Sequence, residues 1–316
     1  MKIAVIVVFF VLLFLLAVFF ICSFVFFKMA AGRENREFKI SDGMIEKRGL
    51  VSEKEEIYKN LSKWDSLSKE DVYITSFDGV KLHGSYCVFK EAPATIIFFH
   101  GWRSFGEFDF SLIIGKYIDA GFNILLVDER AHGKSGGKYI TFGINESRDA
   151  AEWTKFISSR EKGERPVFIE GMSMGATTVL MSVSRDISSD VKGIIADCGF
   201  TSPKEIISHV IRGYHLPASV IFPFVSLYFK IFAHVDIGEL STVDAMSKCK
   251  IPVLFIHGEA DKFVPCEMGR RAYDACVSKK SIITVPGAGH GKSYVVDKDA
   301  CLNAMRDFYL PFFQER

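Results

Sequence analysis

The pentapeptide Gly171-Met172-Ser173-Met174-Gly175 follows the apolar run Val167-Phe168-Ile169 and precedes a helix-forming stretch from Ala176 to Met181. A serine between two glycines at a strand-to-helix junction suits a sharp reversal, because Gly171 and Gly175 lack the Cβ atoms that would collide in one. The pattern predicts a tight elbow with the Ser173 hydroxyl at its tip. Ser173 is therefore the first candidate nucleophile, with a plain helix N-cap as the alternative. The motif is common enough by chance that its surroundings must carry the argument.

Those surroundings read as a sheet. Ala94 to Phe99 is an apolar run entering His100-Gly101-Trp102, and Asn123 to Val127 is another entering Asp128-Glu129-Arg130. Further runs follow at Val191 to Ala196, Val253 to Ile256 and Ser281 to Val285. Helix-length segments separate them, which predicts an α/β fold with a mostly parallel central sheet and helices on both faces. Ahead of them, Asp78-Gly79 turns Val72 to Phe77 into Val80 to Phe89, an antiparallel hairpin opening the sheet.

Two more chemical groups fall just past strand ends. Asp261 closes His257-Gly258-Glu259-Ala260-Asp261, and His290 sits within Gly287-Ala288-Gly289-His290-Gly291. A serine hydroxyl is a poor nucleophile until a neutral imidazole takes its proton, and a carboxylate holds that imidazole's tautomer. Ser173, Asp261 and His290 are thus the candidate catalytic set, with Glu259 and Asp197 as rival acids. Read singly, Asp261 is also a turn former and His290 a helix cap.

Taken together, His100-Gly101-Trp102, Asp128-x-Arg130-x-His132-Gly133-x-Ser135, Gly171-x-Ser173-x-Gly175, His257-Gly258-x-x-Asp261 and Gly289-His290 resemble the α/β-hydrolase superfamily. More narrowly, they are similar to bacterial membrane-anchored serine hydrolases of the serine aminopeptidase-like and lysophospholipase-like group. The resemblance covers about residues 70 to 316 and implies the triad order Ser, Asp, His. It also implies an oxyanion hole made by the backbone N–H groups of Met174 and Trp102. Trp102-Arg103 departs from the glycine run of many lipases at that point. In this group the loop carrying His132 is structural, so His132 is expected to shape the pocket rim and His257 to be a satisfied wall residue. With no H-E-x-x-H, C-x-x-C or clustered carboxylates, neither a metal nor a cofactor is expected.

The N-terminus is the other strong signal. Ile3 to Phe27 is apolar apart from Ser23, long enough to cross a hydrocarbon core of about 30 Å. A signal peptide cleaved at Ala30-Ala31-Gly32 is the alternative, but its apolar region is shorter than this. A retained single-pass anchor is expected, and the surplus of Lys28, Arg33, Arg36 and Lys39 over Lys2 puts the following domain on the cytoplasmic side. Seven scattered cysteines, an odd number, suit free thiols. A formal charge of +1 without a basic aromatic stripe argues against nucleic acid.

The chain thus divides into an anchor (3–27), a juxtamembrane linker with one amphipathic helix carrying Ile57, Leu61 and Trp64 (28–70), and a hydrolase domain (71–316). A segment of about 199–245 is too long for a simple crossover. It predicts a small helical cap whose apolar side chains, Phe222 and Phe224 among them, line the substrate pocket. The expected activity is hydrolysis of esters or related acyl compounds with an apolar, lipid-like portion. The alternatives are a serine peptidase, with Glu205 or Glu239 holding a substrate amine, and a scaffold without catalysis.

Overall fold

The computed structural model describes residues 2–34 and 39–313. Residues 35–38, Arg36 of the orientation argument among them, lie outside the described residues, as do 1 and 314–316. Three helices come first: α1 (Lys2–Ala31), α2 (Asp42–Lys47) and α3 (Lys54–Ser66). The strands are β1 (Lys69–Thr75), β2 (Lys81–Cys87), β3 (Thr95–Phe99), β4 (Asn123–Asp128), β5 (Val167–Met172), β6 (Val191–Asp197), β7 (Val253–Gly258) and β8 (Lys280–Val285). They form one sheet in the order β1-β2-β4-β3-β5-β6-β7-β8. The hairpin β1–β2 is antiparallel and joins β4 antiparallel, and every later pairing is parallel.

Both faces of the parallel strands are covered, which explains their unbroken apolar runs. Side chains alternate across a strand, so Ile97, Leu125 and Ile169 point to one face and Ile96, Ile124 and Phe168 to the other. The first face packs on α6 (Ile144–Arg160) and α7 (Met174–Ser182) through Trp153, Ile157 and Val179. The second packs on α5 (Ile114–Asp119), which follows the single turn α4 (Gly106–Asp109). The C-terminal helix α13 (Lys298–Phe313) covers the same face, with its aromatic side chains against Phe168. Trp64 of α3 is buried there as well, while Ile57 and Leu61 close a smaller cluster with Phe105 and Phe108, so α3 is the predicted amphipathic helix.

The long excursion after β6 is helical. It holds α8 (Pro203–Gly213), then α9 (Ala218–Tyr228), which runs on through one wider turn at Phe229–Ala233, then α10 (Thr242–Met246). The remaining helices are α11 (Cys266–Ala275) and the turn α12 (Ser293–Val296).

Residues 28–33, at the start of the expected juxtamembrane linker, are themselves tied to the domain. α1 continues to Ala31, and Phe27 and Ala31 are wholly buried against the domain that follows. A helix C-terminus leaves its last carbonyls without intrahelical partners, and here the domain supplies them. Trp102 Nε1 donates to Ala30 O at 2.8 Å and the Ile140 N–H to Ala31 O at 2.7 Å. Gly32 pairs with Tyr139 as an isolated antiparallel bridge. The Arg33 guanidinium donates to the carbonyls of Gly133 and Ser135. By contrast, the stretch from Ile3 to Leu16 stands clear of the domain.

Candidate active site

One residue separates β5 from α7, and it is Ser173, with φ 56° and ψ −112°. Such a conformation costs about 1–3 kcal/mol and persists only where the surroundings enforce it. The enforcement comes from the Ser173 N–H donating to Asp197 O at 2.8 Å, and from the glycines. A Cβ on Gly175 would lie 1.9 Å from Phe99 O, and one on Gly171 would lie 2.2 Å from Gly175 C. No larger residue fits either place. The Ser173 hydroxyl does not cap α7, which removes the N-cap reading.

That hydroxyl meets His290. Ser173 Oγ lies 2.9 Å from His290 Nε2, and His290 Nδ1 lies 2.7 Å from Asp261 Oδ2. The other Asp261 oxygen accepts the N–H groups of Phe263 and Val264 at 2.9 and 2.8 Å, which orients the carboxylate. His257 Nε2 donates to Val264 O at 2.9 Å and sits 3.5 Å from Asp261 Oδ2. Burial opposes ionisation of Asp261, but the hydrogen bonds from His257 and His290 outweigh it and hold the carboxyl well below its ordinary range. An ionised Asp261 accepts from His290 Nδ1, leaving Nε2 of the neutral ring to accept the Ser173 proton.

Neither rival acid reaches the imidazole. Glu259 pairs with Arg270 and Thr284 at the surface. Asp197 has one side-chain oxygen buried without a hydrogen-bond partner among the described residues. Burial pushes its carboxyl up to about 6, with His257 and His290 pulling the other way. Cys198, Asp261 and His290 place ligand-type atoms within 4.8 Å of one another. Both His290 nitrogens and both Asp261 oxygens are engaged in the bonds above, so a metal there would have to dismantle that array.

Trp102 and Met174, the predicted oxyanion donors, flank the elbow on the loop after β3 and at the start of α7. Their backbone N–H groups have no acceptor among the described residues. The loop after β3 is clamped by buried histidines: His100 Nε2 accepts from the Glu129 N–H at 3.1 Å and His132 Nε2 from the Arg103 N–H at 3.0 Å. Burial, reinforced by neighbouring His100, holds His132 far below its ordinary value, so it stays a neutral acceptor that shapes the rim.

Two cavities converge on Ser173. The larger, about 720 Å³, runs beneath α2 toward Glu170, Tyr294 and Met305. The smaller, about 160 Å³, is walled mostly by apolar side chains, half of its lining residues coming from α1 and α8 and the rest including Trp102, Phe142, Phe200 and Phe263. Phe222 and Phe224, predicted to line the pocket, line neither cavity. The Phe224 ring meets Phe19 and Phe20 of α1 edge-on at 4.9 and 5.0 Å, so α9 spends its apolar face on the N-terminal helix. Glu205 is tied to Arg271, and Glu239 to Arg148 and Arg185, so neither is available to a substrate amine in either cavity. The residues that reasoning from sequence missed are those of α1 itself. In a helix apolar all round, no periodicity marks the turns that touch protein.

Comparison with known proteins agrees with this architecture. The family model described as serine aminopeptidase, S33, matches residues 90–230, and one described as TAP-like protein matches residues 236–311. The uncharacterized protein YqkD of Bacillus subtilis is 26% identical over 78% of this chain and 80% of its own length. Human protein ABHD12B is 28% identical over 74% of this chain and 67% of its own. Among solved structures, an esterase of Pyrococcus furiosus superposes with a TM-score of 0.62 at 25% identity, covering 78% of this chain and 93% of that one. Acetyl xylan esterase 1 of Thermoanaerobacterium superposes with a TM-score of 0.58 at 19% identity, over 81% and 93% of the two chains. A mostly parallel eight-stranded sheet, a strained serine elbow after β5 and two family models that together match most of residues 90–311 place the chain in the α/β-hydrolase superfamily.

Proposed function

We propose that the protein is a membrane-anchored serine hydrolase that cleaves ester or related acyl bonds through an acyl-enzyme. The observation carrying this reading is the unbroken hydrogen-bonded array from Asp261 through His290 to Ser173, ending at an elbow where two cavities meet. In the forward step His290 Nε2 takes the hydroxyl proton as Ser173 Oγ bonds to the substrate carbonyl carbon, and ionised Asp261 stabilises the imidazolium. The developing oxyanion is held by the backbone N–H groups of Met174 and Trp102. His290 then gives its proton to the departing alcohol. Water, activated by the same imidazole, releases the acid and restores the serine.

The apolar smaller cavity supports a substrate with an apolar portion, and the likeness to the Pyrococcus furiosus esterase supports ester over amide. α1, whose length and composition suffice to cross a bilayer, serves in this reading as a retained single-pass anchor. Lys28, Arg33 and Lys39 beyond its apolar run favour a cytoplasmic catalytic domain. The test is a fluorophosphonate probe on the full chain in detergent. Wild type is expected to label, and Ser173→Ala and His290→Ala to label at background, each losing on the order of a million-fold in ester turnover. Undiminished hydrolysis by Ser173→Ala would end this reading.

A further inference from the structure

α1 is longer than a membrane crossing requires. The helix from Ile3 to Ala31, 29 residues with Lys28 its one charge, spans about 43 Å at 1.5 Å per residue, against a hydrocarbon core of about 30 Å. The surplus end is where the protein contacts gather. Phe24 packs on Tyr228 and Phe232, Phe27 on Phe229, and the Tyr228 hydroxyl donates to Phe20 O. Phe26, Met29 and Ala30 do something different. They face Ile206, Ile207 and Val210 of α8 across the smaller cavity, which ends at Ser173. The Trp102 indole that bonds Ala30 O lines the same cavity, so the end of α1 and the loop of the proposed oxyanion hole are held in one register.

We propose that the C-terminal turns of α1 form one wall of the acyl-binding site. On this view the chain of a long-chain ester lies between α1 and α8 with its carbonyl at Ser173, and Phe26 and Met29 set the length accepted. The proposal rests on Ser173 being the nucleophile. It makes the membrane helix a specificity element as well as a tether. Each methylene moved from water into such a site favours binding by about fourfold.

The experiment is a series of nitrophenyl esters, from butyrate to dodecanoate, on the full chain in detergent, read as the long-to-short ratio of kcat/KM. Met29→Trp fills the cavity and is expected to lower that ratio about tenfold, the worth of nearly two methylenes. Phe26→Ala enlarges it and is expected to raise the ratio. Val25→Ala, one residue from Phe26 and lining neither cavity, is expected to leave it unchanged. An unmoved ratio in both wall variants, while fluorophosphonate still labels Ser173, overturns the wall and leaves the nucleophile standing. Absence of labelling in wild type overturns the nucleophile and the wall with it.

A second measurement needs no variant. A fluorophosphonate bearing a long alkyl chain with a terminal diazirine reacts at Ser173. The Oγ–P bond forms, the P–F bond breaks, and fluoride leaves as the hydroxyl proton passes to His290. On illumination the diazirine loses dinitrogen, and the carbene inserts into whatever lies at the chain's end. Cross-linked peptides from the end of α1 or from α8 are the expected result. Cross-links confined to the larger cavity, at Met44, Leu112 or Met305, overturn the proposal.

Discussion

Phe27→Ala separates a helix that belongs to the catalytic domain from one that merely holds it near a bilayer. The ring is 0% exposed and lies 5.0 Å from Phe229, 5.4 Å from Tyr139, 5.9 Å from Phe232 and 6.0 Å from Tyr228, measured between centroids. Truncating a buried phenylalanine costs about 3–5 kcal/mol, because the transfer energy is lost and the surrounding rings close only part of the void. For a domain of this size each kcal/mol lowers Tm by roughly 2–4 °C, so a fall of about 10 °C is expected. The assay is thermal unfolding of the full chain in detergent, followed by tryptophan fluorescence. Phe10→Ala, at a ring 60% exposed, is the control and is expected to move Tm by no more than about 2 °C. If α1 were only a tether, detergent would bathe both rings and the two variants would behave alike. Equal Tm values for Phe27→Ala and Phe10→Ala would therefore refute the docking argument.

Gly175→Ala places a Cβ 1.9 Å from Phe99 O and is expected to abolish probe labelling, whereas Gly213→Ala, with nothing within 4 Å, is expected to label like wild type. Asp261→Asn keeps the shape of the acid but supplies the wrong partner to His290 Nδ1, and turnover is expected to fall roughly ten-thousand-fold, with a loss under about tenfold counting against the assignment. Burial pushes the Glu170 carboxyl up to about 8, the Tyr117 hydroxyl opposing and Asp197 adding to the shift. The folded state thus holds that proton more tightly than the unfolded chain, whose carboxyl titrates near 4.3. Its stabilising contribution is full below that value and is lost as pH rises through about 8, so Tm of wild type is expected to decline from pH 5 to 9 more steeply than that of Glu170→Gln. Parallel curves would show that Glu170 is not the group responsible.

The strands from β3 onward were legible because burial on both faces writes itself as unbroken apolar runs, and the observed ends differ from the expected ones by only a residue or two at Thr95–Phe99 and Val253–Gly258. Ser173, Asp261 and His290 could be named because such chemistry sits in loops at strand ends, where glycines leave a mark in sequence. The cap was legible as apolar helix and illegible as to partner. Phe224 carries the same signature whether it faces a ligand or another helix, and only the placement of Phe19 and Phe20 decides it. Docking of residues 28–33 was invisible for a related reason. It depends on backbone carbonyls of Ala30 and Ala31, which every sequence possesses, and on Trp102 and Ile140, far along the chain.

The seam between Ala31 and the Ile140 strap also bears on how the molecule is made. α1 is synthesised before the domain it docks on, and His290 follows Ala31 by roughly 260 residues. At about 5–20 residues per second, the helix waits some 13–50 s before His290 is synthesised. Through that interval its terminal carbonyls and the Phe27 ring have no domain to meet. Docking of the helix is thereby a late event in folding: the Phe27 ring, made early, gains its partners Phe229 and Phe232 only after about 200 further residues have been synthesised.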